Sequence, residues 1–375
     1  MSGSLDPLLQ REVVVCVGAG GVGKTTIAAA VALHAAMEGK RAIVLTIDPA
    51  RRLATALGLS ALDNQATRVP LSEGARGELW AMMLDLERSW DEFVGRTVAP
   101  ERREAILRNR FYKTLSSSLA GSQEYIATQK LHEIHASGRY DLVVLDTPPT
   151  QNALDFLDAP RRILDFLGND TLRSLLGPAL RAGRLGFKLF QMGSNALLKG
   201  LSRLTGVETL EELARFLAEI QPTYDEFKER AARVHALLAS DRAAFLLVTT
   251  ARGGPVEEAI YFHRLLVEAG MPLAAVVANR VHPDHLGGLP LPSPEALADE
   301  LLREGVVDQG QPPLSRRLHQ TLVEARALAR LDAANLERLE ASTHPSPQVR
   351  VPRFSGDVYD LPALRTIADH LFARS

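Results

Sequence analysis

The feature that most restricts the fold of this chain is a glycine-rich loop placed between an apolar run and a helical run. The apolar run covers residues 12–18 (EVVVCVG), the loop Gly18–Thr26 reads GAGGVGKTT, and residues 27–37 are good helix formers. This order matches the phosphate-binding pattern G-x-x-x-x-G-K-[ST], in which backbone N–H groups turn inward around phosphate oxygens at a helix N-terminus. The sequence therefore predicts a phosphate-binding loop at the start of the first long helix.

Two side chains of this loop have predicted roles of their own. In loops of this pattern the lysine pairs with the β- and γ-phosphates, which assigns that role to Lys24. The hydroxyl that follows the lysine is a ligand for Mg²⁺, which assigns that role to Thr25. A nucleoside triphosphate bound together with magnesium is thus the predicted ligand of the loop.

Short apolar runs rich in β-branched residues alternate with helical patterns along most of the chain. Several of these runs are apolar throughout, as expected of strands that are covered on both faces. We therefore predict an α/β fold with a doubly wound, mostly parallel sheet (a P-loop NTPase fold) and an inserted α-helical subdomain. The predicted strands are residues 12–18, 41–48, 79–84, 141–146, 244–250, 273–279 and 348–354.

The domain boundaries follow from where the strand pattern stops. Between Asp146 and Ala244 the sequence shows no convincing strand and is typical of consecutive helices. We predict a main domain formed by residues 1–150 and 241–375, with residues 151–240 as the helical subdomain and helices from 86–137 as a further candidate part of it. A Gly/Pro-rich loop at 286–294 precedes helices predicted near 295–305 and 315–331.

Two aspartates close predicted strands. Asp48 ends the second strand, in the sequence TIDPARR, and Asp146 ends the fourth, in LDTPPT. The carboxyl ends of parallel strands form the ligand edge of such a sheet, so both carboxylates are expected to face the bound phosphates. There an aspartate can hold Mg²⁺ through its water shell or orient the attacking water. The alternative for each residue is the N-cap of the helix that follows it.

Composition and charge exclude several classes of protein. The chain is 46% hydrophobic and 23% charged, close to the averages for globular proteins, which excludes disordered and fibrous classes. The net charge of -2 provides no global field toward nucleic acid or membrane, and the few aromatic residues are not interleaved with basic ones, which argues against nucleic-acid binding. The N-terminus lacks the pattern of a secretory signal, so a cytoplasmic location is expected.

Several segments together resemble the arsenite-pump and tail-anchor-targeting ATPase family, which belongs to the deviant-Walker-A group of P-loop ATPases. The resemblance covers nearly the whole chain, and its motifs are specific in combination although not singly. The segments that carry it are the loop GAGGVGKTT, the DPA that starts at Asp48, the DTPPT that starts at Asp146, VAN ending at Asn279, VPRF at 351–354, DLPALR at 360–365 and the helical segment 216–237.

The resemblance implies roles for individual residues. Asp48 would lie in the first switch and position the hydrolytic water, and Asp146 would lie in the second switch and support Mg²⁺ through a bound water. Asn279 would read the adenine base, and Pro352 would lie in the adenine loop. The residues implied to hold the phosphates are Gly20, Gly21, Val22, Gly23, Lys24, Thr25 and Thr26.

The resemblance also implies a function. It is Mg²⁺-dependent hydrolysis of ATP to ADP and phosphate by a dimer that closes across the nucleotides, with a hydrophobic client or membrane protein as a further partner. Two alternatives stay open: an ATP-binding regulatory subunit in a heterodimer with a paralogue, and a positioning ATPase similar to ParA and MinD.

Three departures from the family pattern bear on these alternatives. The family's signature lysine is replaced by Ala19, so its charge would come from a lysine-bearing paralogue or from Arg51 or Arg52, or else ATP hydrolysis would be slow. The zinc-binding cysteine pair of targeting members is missing, and Cys16 is expected to be a small core residue. The thiolates that bind arsenite in pump members are missing for the same reason, so arsenite stimulation is not expected.

The predicted helical subdomain contains an amphipathic stripe beside basic residues. Its apolar members recur at spacings of three, four or seven residues. The stripe could pack the core of the subdomain itself, form a groove for a client, or contact an anionic membrane surface. The apolar residues are Phe187, Phe190, Leu197, Leu201 and Leu204, and the basic ones are Lys188, Lys199 and Arg203.

Overall fold

The computed structural model confirms the α/β class and the mostly parallel sheet. It describes residues 5–47, 52–71, 74–118, 122–147, 207–307, 312–354 and 360–373, together with the single residues 165, 356 and 358. The strands are β1 (Val13–Val17), β2 (Arg41–Thr46), β3 (Thr67–Val69), β4 (Glu78–Met83), β5 (Leu142–Asp146), β6 (Ala243–Thr250), β7 (Leu273–Val281) and β8 (Gln348–Pro352).

Helices connect these strands within the described ranges. They are α1 (Lys24–Met37), α2 (Arg52–Ala56), α3 (Leu86–Thr97), α4 (Pro100–Leu107), α5 (Arg110–Ser118), α6 (Ser122–Ala136), α7 (Val207–Ile220), α8 (Tyr224–Leu238), α9 (Gly253–Glu268), α10 (Pro294–Arg303), α11 (Pro312–Thr343) and α12 (Leu361–Phe372). None of them combines the length and the apolar character needed to cross a bilayer, a finding that concerns these described helices alone.

The eight strands form one sheet in the order β3-β4-β2-β5-β1-β6-β7-β8. All neighbouring strands are parallel except β3 and β4, which pair antiparallel at the edge. Strand β1 lies inside the sheet between β5 and β6, so the loop that follows β1 opens at the middle of the carboxyl edge. Ligands of doubly wound folds bind along this edge.

Alternate residues of the central strands pack into two different cores, one on each face of the sheet. In β1, Val14 and Cys16 belong to one core, whereas Val13, Val15 and Val17 belong to the other. All five side chains are buried, which explains why this strand is apolar at every position. Helices α1 and α12 cover the first face, and α6, α9 and the C-terminal part of α11 cover the second.

Helix α1 is apolar around most of its circumference because it is covered on both sides. Ten of its residues are buried, and it packs between the sheet and α12, where the rings of His34 and Phe372 stack with 3.8 Å between their centroids. The helix begins directly after Gly23, whose left-handed backbone (φ 98°) turns the chain out of the loop. This arrangement fixes the N-terminus of α1 beneath the glycine-rich loop.

A third apolar cluster consists of helices alone. Trp90 and Phe93 of α3 pack with Tyr125 of α6, and Phe93 also contacts the ring of Phe227 of α8, with 4.7 Å between centroids. Phe216 of α7 is buried in the same cluster. Helices from 86–136 and from 207–238 therefore share one core, while the domain boundaries stated above stay a prediction.

Two elements differ from the sequence-based prediction. Strand β3 was not predicted; it has only three residues at the sheet edge, with alternating exposure, and such a segment carries little apolar signal. Helix α11 runs from Pro312 to Thr343 instead of ending near residue 331, because no glycine or proline interrupts the sequence before Pro345.

Candidate functional site

The predicted phosphate loop lies at the middle of the carboxyl edge, between the end of β1 and the start of α1. Two of its glycines are required because a Cβ atom at either position would clash with a neighbouring part of the protein. A Cβ atom on Gly18 (φ 145°) would lie 2.0 Å from the carbonyl oxygen of Val248, and one on Gly23 (φ 98°) would lie 2.2 Å from Nδ2 of Asn279. Real Cβ atoms do not come this close to other atoms, so the backbone path of the loop needs glycine at both positions.

Lys24 is 6% exposed, and its ammonium group lies inside the curve of the loop. Its Nζ donates hydrogen bonds of 2.9 Å to the carbonyl oxygen of Gly18 and of 2.9 Å to that of Ala19. A positive charge is thus held at the start of the loop, where the sequence predicts the terminal phosphates.

A hydroxyl–carboxylate cluster lies next to the loop. The Thr25 hydroxyl donates to Oδ2 of Asp146 over 2.7 Å, and the Thr46 hydroxyl donates to the same oxygen over 2.8 Å. Asp146 is 1% exposed and pairs with Thr46 in the register of β2 and β5. The first turn of α1 and the ends of two strands therefore meet at one carboxylate.

Cys16 lies in the centre of β1 opposite Asp146, as the register of β1 and β5 shows. Burial raises the pKa of the Cys16 thiol far above its ordinary value, and the negative charge of Asp146 adds to this effect. The side chain has no exposed surface, which confirms the prediction that it is a core residue. The thiol is therefore held in its neutral form.

The end of β7 holds the outer side of the loop. The Asn279 amide donates from Nδ2 to the Val22 carbonyl oxygen over 2.9 Å, and Arg280 donates from Nη1 to the Gly21 carbonyl oxygen over 3.2 Å. Two successive loop carbonyls are thus bound by two successive residues of β7. The part played by Arg280 was missed in the sequence, because its partner lies 259 residues away and no motif marks it.

The other predicted binding residues take the following places. Gly20 and Gly21 are exposed at the tip of the loop, Val22 is buried, and Thr26 lies in the first turn of α1. Pro352 ends β8 and pairs with Val281 of β7, so Asn279 and Pro352 lie on adjacent strands near the same edge. Reading of adenine by this pair stays a prediction.

Some predicted residues lie outside the described part of the chain. They are Asp48, Arg51 and the apolar stripe from Phe187 to Leu204. Arg52 is described and exposed at the start of α2. Within the described ranges, no three His, Cys, Asp or Glu side chains come together in a way that could hold a metal ion.

Comparison with known proteins decides the family. The family model described as "Anion-transporting ATPase" matches residues 11–288 of this chain, which include the loop, Asp146, Asn279 and Arg280. The chain belongs to the ArsA ATPase family. Membership in the ArsA ATPase family confirms the resemblance given above and supports the expected hydrolysis of ATP.

Relatives of this chain include ATPases from bacteria and from a fungus. The arsenical pump-driving ATPase of Acidiphilium multivorum is 26% identical over 274 residues, which cover 71% of this chain and 39% of the relative. ATPase GET3 of Malassezia globosa is 28% identical over 218 residues (56% and 61%). ATPase BagA of Mycobacterium tuberculosis is 26% identical over 213 residues (53% and 59%). The matches thus span less than two thirds of these three ArsA-type relatives.

Proposed function

We propose that this chain is a Mg²⁺-dependent ATPase that converts ATP to ADP and phosphate and uses its nucleotide state as a switch. The observation that carries the proposal is the meeting of Thr25, Thr46 and Asp146 at the N-terminus of α1, beside the loop. Phosphoryl transfer needs positioning and charge stabilisation more than covalent help from the protein. A loop with a hydroxyl and a carboxylate at its side supports such positioning.

The donor atoms at this place fit magnesium. Mg²⁺ prefers oxygen ligands, keeps several of its waters, and is commonly bound through one or two carboxylates together with substrate phosphates. The Thr25 hydroxyl directs its proton at Asp146, so the lone pairs of its oxygen are left for a cation. We assign Thr25 as a direct ligand and Asp146 as a ligand through water. A Mg²⁺ ion bound here supplies positive charge to the β- and γ-phosphate oxygens.

The chain's own groups account for binding and orientation of the triphosphate. We expect the backbone N–H groups of this glycine-rich loop to surround phosphate oxygens, as they do in loops of this pattern. We expect the Lys24 ammonium to exchange its bonds to the Gly18 and Ala19 carbonyls for bonds to the β- and γ-phosphates. Asp48 follows β2 two residues after Thr46, and we propose that it orients the attacking water.

The switch and its partners form the further part of the proposal. We propose a homodimer, or a heterodimer with a paralogue, that closes across the nucleotides and acts on a hydrophobic client protein, as the resemblance implies. The chain contains a single cysteine, and that residue is buried inside β1. Because trivalent arsenic needs several thiolates, we propose that arsenite does not drive this cycle.

Phosphate release by the purified chain tests the ATPase proposal. We expect turnover with Mg²⁺ that excess EDTA abolishes, and a loss of at least about 100-fold in Lys24→Ala. Lys228→Ala, which changes an exposed lysine of α8, is the matched control and should behave as the unmodified chain. Light scattering measures the molar mass of the protein with ADP and with a non-hydrolysable ATP analogue, and so tests whether a dimer forms. Calorimetry that detects no Mg²⁺-dependent uptake of ATP would contradict the proposal.

One observation favours a second candidate function. Ala19 is 6% exposed and brings no positive charge to the loop, as expected of a regulatory subunit that binds ATP as a structural ligand. That function predicts tight ATP binding with background turnover, and faster turnover in Ala19→Lys. Ordinary turnover by the isolated chain, abolished in Asp48→Asn, would exclude it.

A further inference from the structure

Arg280, at the end of β7, has an unusual backbone conformation. Its φ is 58°, and among the described residues it is the one non-glycine residue with a positive φ. A side chain in the left-handed region is disfavoured because its Cβ comes too close to the following carbonyl oxygen. Such a residue persists only where the surrounding structure holds it, and such residues cluster at functional sites.

The neighbours of Arg280 along the chain are held by several hydrogen bonds. The Arg280 N–H donates to Oδ1 of Asn279 over 3.0 Å, and the Arg353 N–H of the next segment donates to the Val281 carbonyl oxygen over 2.8 Å. These bonds fix the backbone on both sides of the strained residue. The backbone from which the Arg280 side chain extends is therefore held in place.

A second set of bonds ties the same segment to the long helix α11. Oδ2 of Asp332 accepts from the His282 backbone N–H and pairs with the His282 ring at Nδ1, both over 2.8 Å. The guanidinium of Arg353 lies 3.1 Å from Nε2 of the same ring. Because arginine can only donate, Nε2 accepts and the ring proton resides on Nδ1. Strands β7 and β8 and helix α11 are thus joined at His282.

The Arg280 side chain runs from this anchored segment back to the phosphate loop. Its Nη1 reaches the carbonyl oxygen of Gly21, while the neighbouring Asn279 amide reaches that of Val22. The proposed function places the triphosphate in the loop, and the family resemblance implies that the base lies near Asn279 and Pro352. A base bound beside Asn279 would then lie next to Arg280, the following residue of β7.

We propose that Arg280 packs its side chain against the nucleoside part of the bound purine nucleotide, with its guanidinium on the face of the base. This inference rests on the proposed function. A guanidinium is planar and delocalised, and it stacks on aromatic faces more readily than an ammonium does. The Gly21 bond uses one of its five N–H donors, which leaves others for a ribose oxygen. The contact is independent of the number of phosphates.

Binding of three ligands to Arg280→Ala tests the proposal. The ligands are ATP, ADP and inorganic tripolyphosphate, each measured by calorimetry with Mg²⁺ on the full chain. We expect ATP and ADP to weaken by the same factor, about tenfold, and tripolyphosphate to change less than twofold. Arg264→Ala, which changes an exposed arginine of α9, is the matched control and should leave all three unchanged.

Other patterns of loss overturn the proposal. Weakening of ATP without weakening of ADP would assign Arg280 to the terminal phosphate. An equal loss for tripolyphosphate would mean that Arg280 only supports the loop through Gly21. Unchanged binding of ATP and ADP would show that Arg280 does not contact the nucleotide.

Two further variants separate the role of the Arg280 side chain from effects of backbone strain and of charge. They are Arg280→Gly and Arg280→Lys. Glycine relieves the left-handed strain, so a loss shared by Arg280→Gly and Arg280→Ala reflects the missing side chain. Arg280→Lys keeps the charge without the planar group. It should recover less than half of the binding free energy that Arg280→Ala loses. Failure of the unmodified chain to bind any nucleotide would overturn the proposed function as well. Normal binding by the unmodified chain and all Arg280 variants would overturn this inference alone.

Discussion

The Thr25 hydroxyl donates a hydrogen bond of 2.7 Å to Oδ2 of Asp146, a residue 121 positions further along the chain. The bond joins the first turn of α1 to the end of β5 and orients the Thr25 oxygen. Asp146 is 1% exposed, and burying a charged carboxylate is costly unless hydrogen-bond donors contact it. The Thr25 hydroxyl is one such donor. Thr25 and Asp146 thus lie in the arrangement that the proposed magnesium site requires.

The first prediction concerns the Thr25 hydroxyl. Thr25→Ala should reduce ATP turnover about 100-fold, because the variant loses both a metal ligand and the donor that orients Asp146. Thr25→Ser keeps the hydroxyl and should retain most of the activity. Phosphate release at saturating Mg²⁺ and ATP measures the difference. Turnover of Thr25→Ala within threefold of the unmodified chain would exclude Thr25 as the ligand.

The second prediction concerns the close approach of Gly23 to Asn279. Gly23→Ala should lower the free energy of unfolding by more than about 2 kcal/mol and abolish nucleotide binding, because its Cβ would lie 2.2 Å from Nδ2 of Asn279. Gly270→Ala is the control: its φ is also positive (66°), but its Cβ would meet open space. It should cost about 1 kcal/mol and leave binding unchanged. Urea unfolding and calorimetry measure both effects, and equal costs would show that strain alone matters.

The third prediction uses Cys16 as a reporter of unfolding. Thiolates are the reactive form of cysteine, and Cys16 is fully buried with a raised pKa, so the folded chain should react with an aromatic disulfide reagent only through opening. The labelling rate should therefore fall when Mg²⁺ and ATP are added, since a ligand stabilises the folded state. Rapid labelling of the folded chain at neutral pH would contradict the burial of β1.

The fourth prediction concerns acid sensitivity at the start of β1. Arg242 and then His135 donate to Oε2 of Glu12 over 2.6 and 2.7 Å, and these hydrogen bonds lower the pKa of Glu12 to about 2. A carboxylate whose pKa is lowered in the folded state stabilises the fold above its unfolded pKa, near 4.5. That stabilisation is lost as the pH falls from there toward 2.

Glu12→Gln should therefore lower the free energy of unfolding by about 0.5 kcal/mol at pH 7, a small value because the group is partly exposed and screened. The difference from the unmodified chain should shrink between pH 4.5 and 2. Glu258→Gln, an exposed position on α9, should show no such pH dependence. Urea unfolding at pH 7, 4 and 3 measures the trend, and a difference that grows toward low pH would contradict the assignment.

The parts of the site that were predictable are those set by strand ends and local sequence. Asp146 was expected at the ligand edge because parallel strands bring their carboxyl ends together, and the loop was expected because glycines and Lys24 carry a local pattern. Arg280 was not predictable, because its role depends on a backbone conformation and on a bond to Gly21 that no local pattern encodes. Strand β3 was missed because its pairing with β4, and not its composition, makes it a strand.

Helix α11 is longer than its sequence-based prediction, although the sequence carries a signal for its length. Its 32 residues contain no glycine and no proline after the first turn, so its full length could have been inferred from the missing breakers. The shared core of helices 86–136 and 207–238 was harder to foresee. Aromatic residues such as Phe93 and Phe227 lie far apart in sequence, and only packing shows that they meet.

The hydrogen bond from the His282 N–H to Asp332 joins helix α11 to the segment that follows β7. A helix of 32 residues is a rod of roughly 48 Å. Helix α11 contacts α10. Leu336 and Leu339 in its C-terminal half lie in the core on the second face of the sheet, and Asp332 binds His282 directly after β7. Helix α11 thus connects α10 with the end of β7, the strand that carries Arg280.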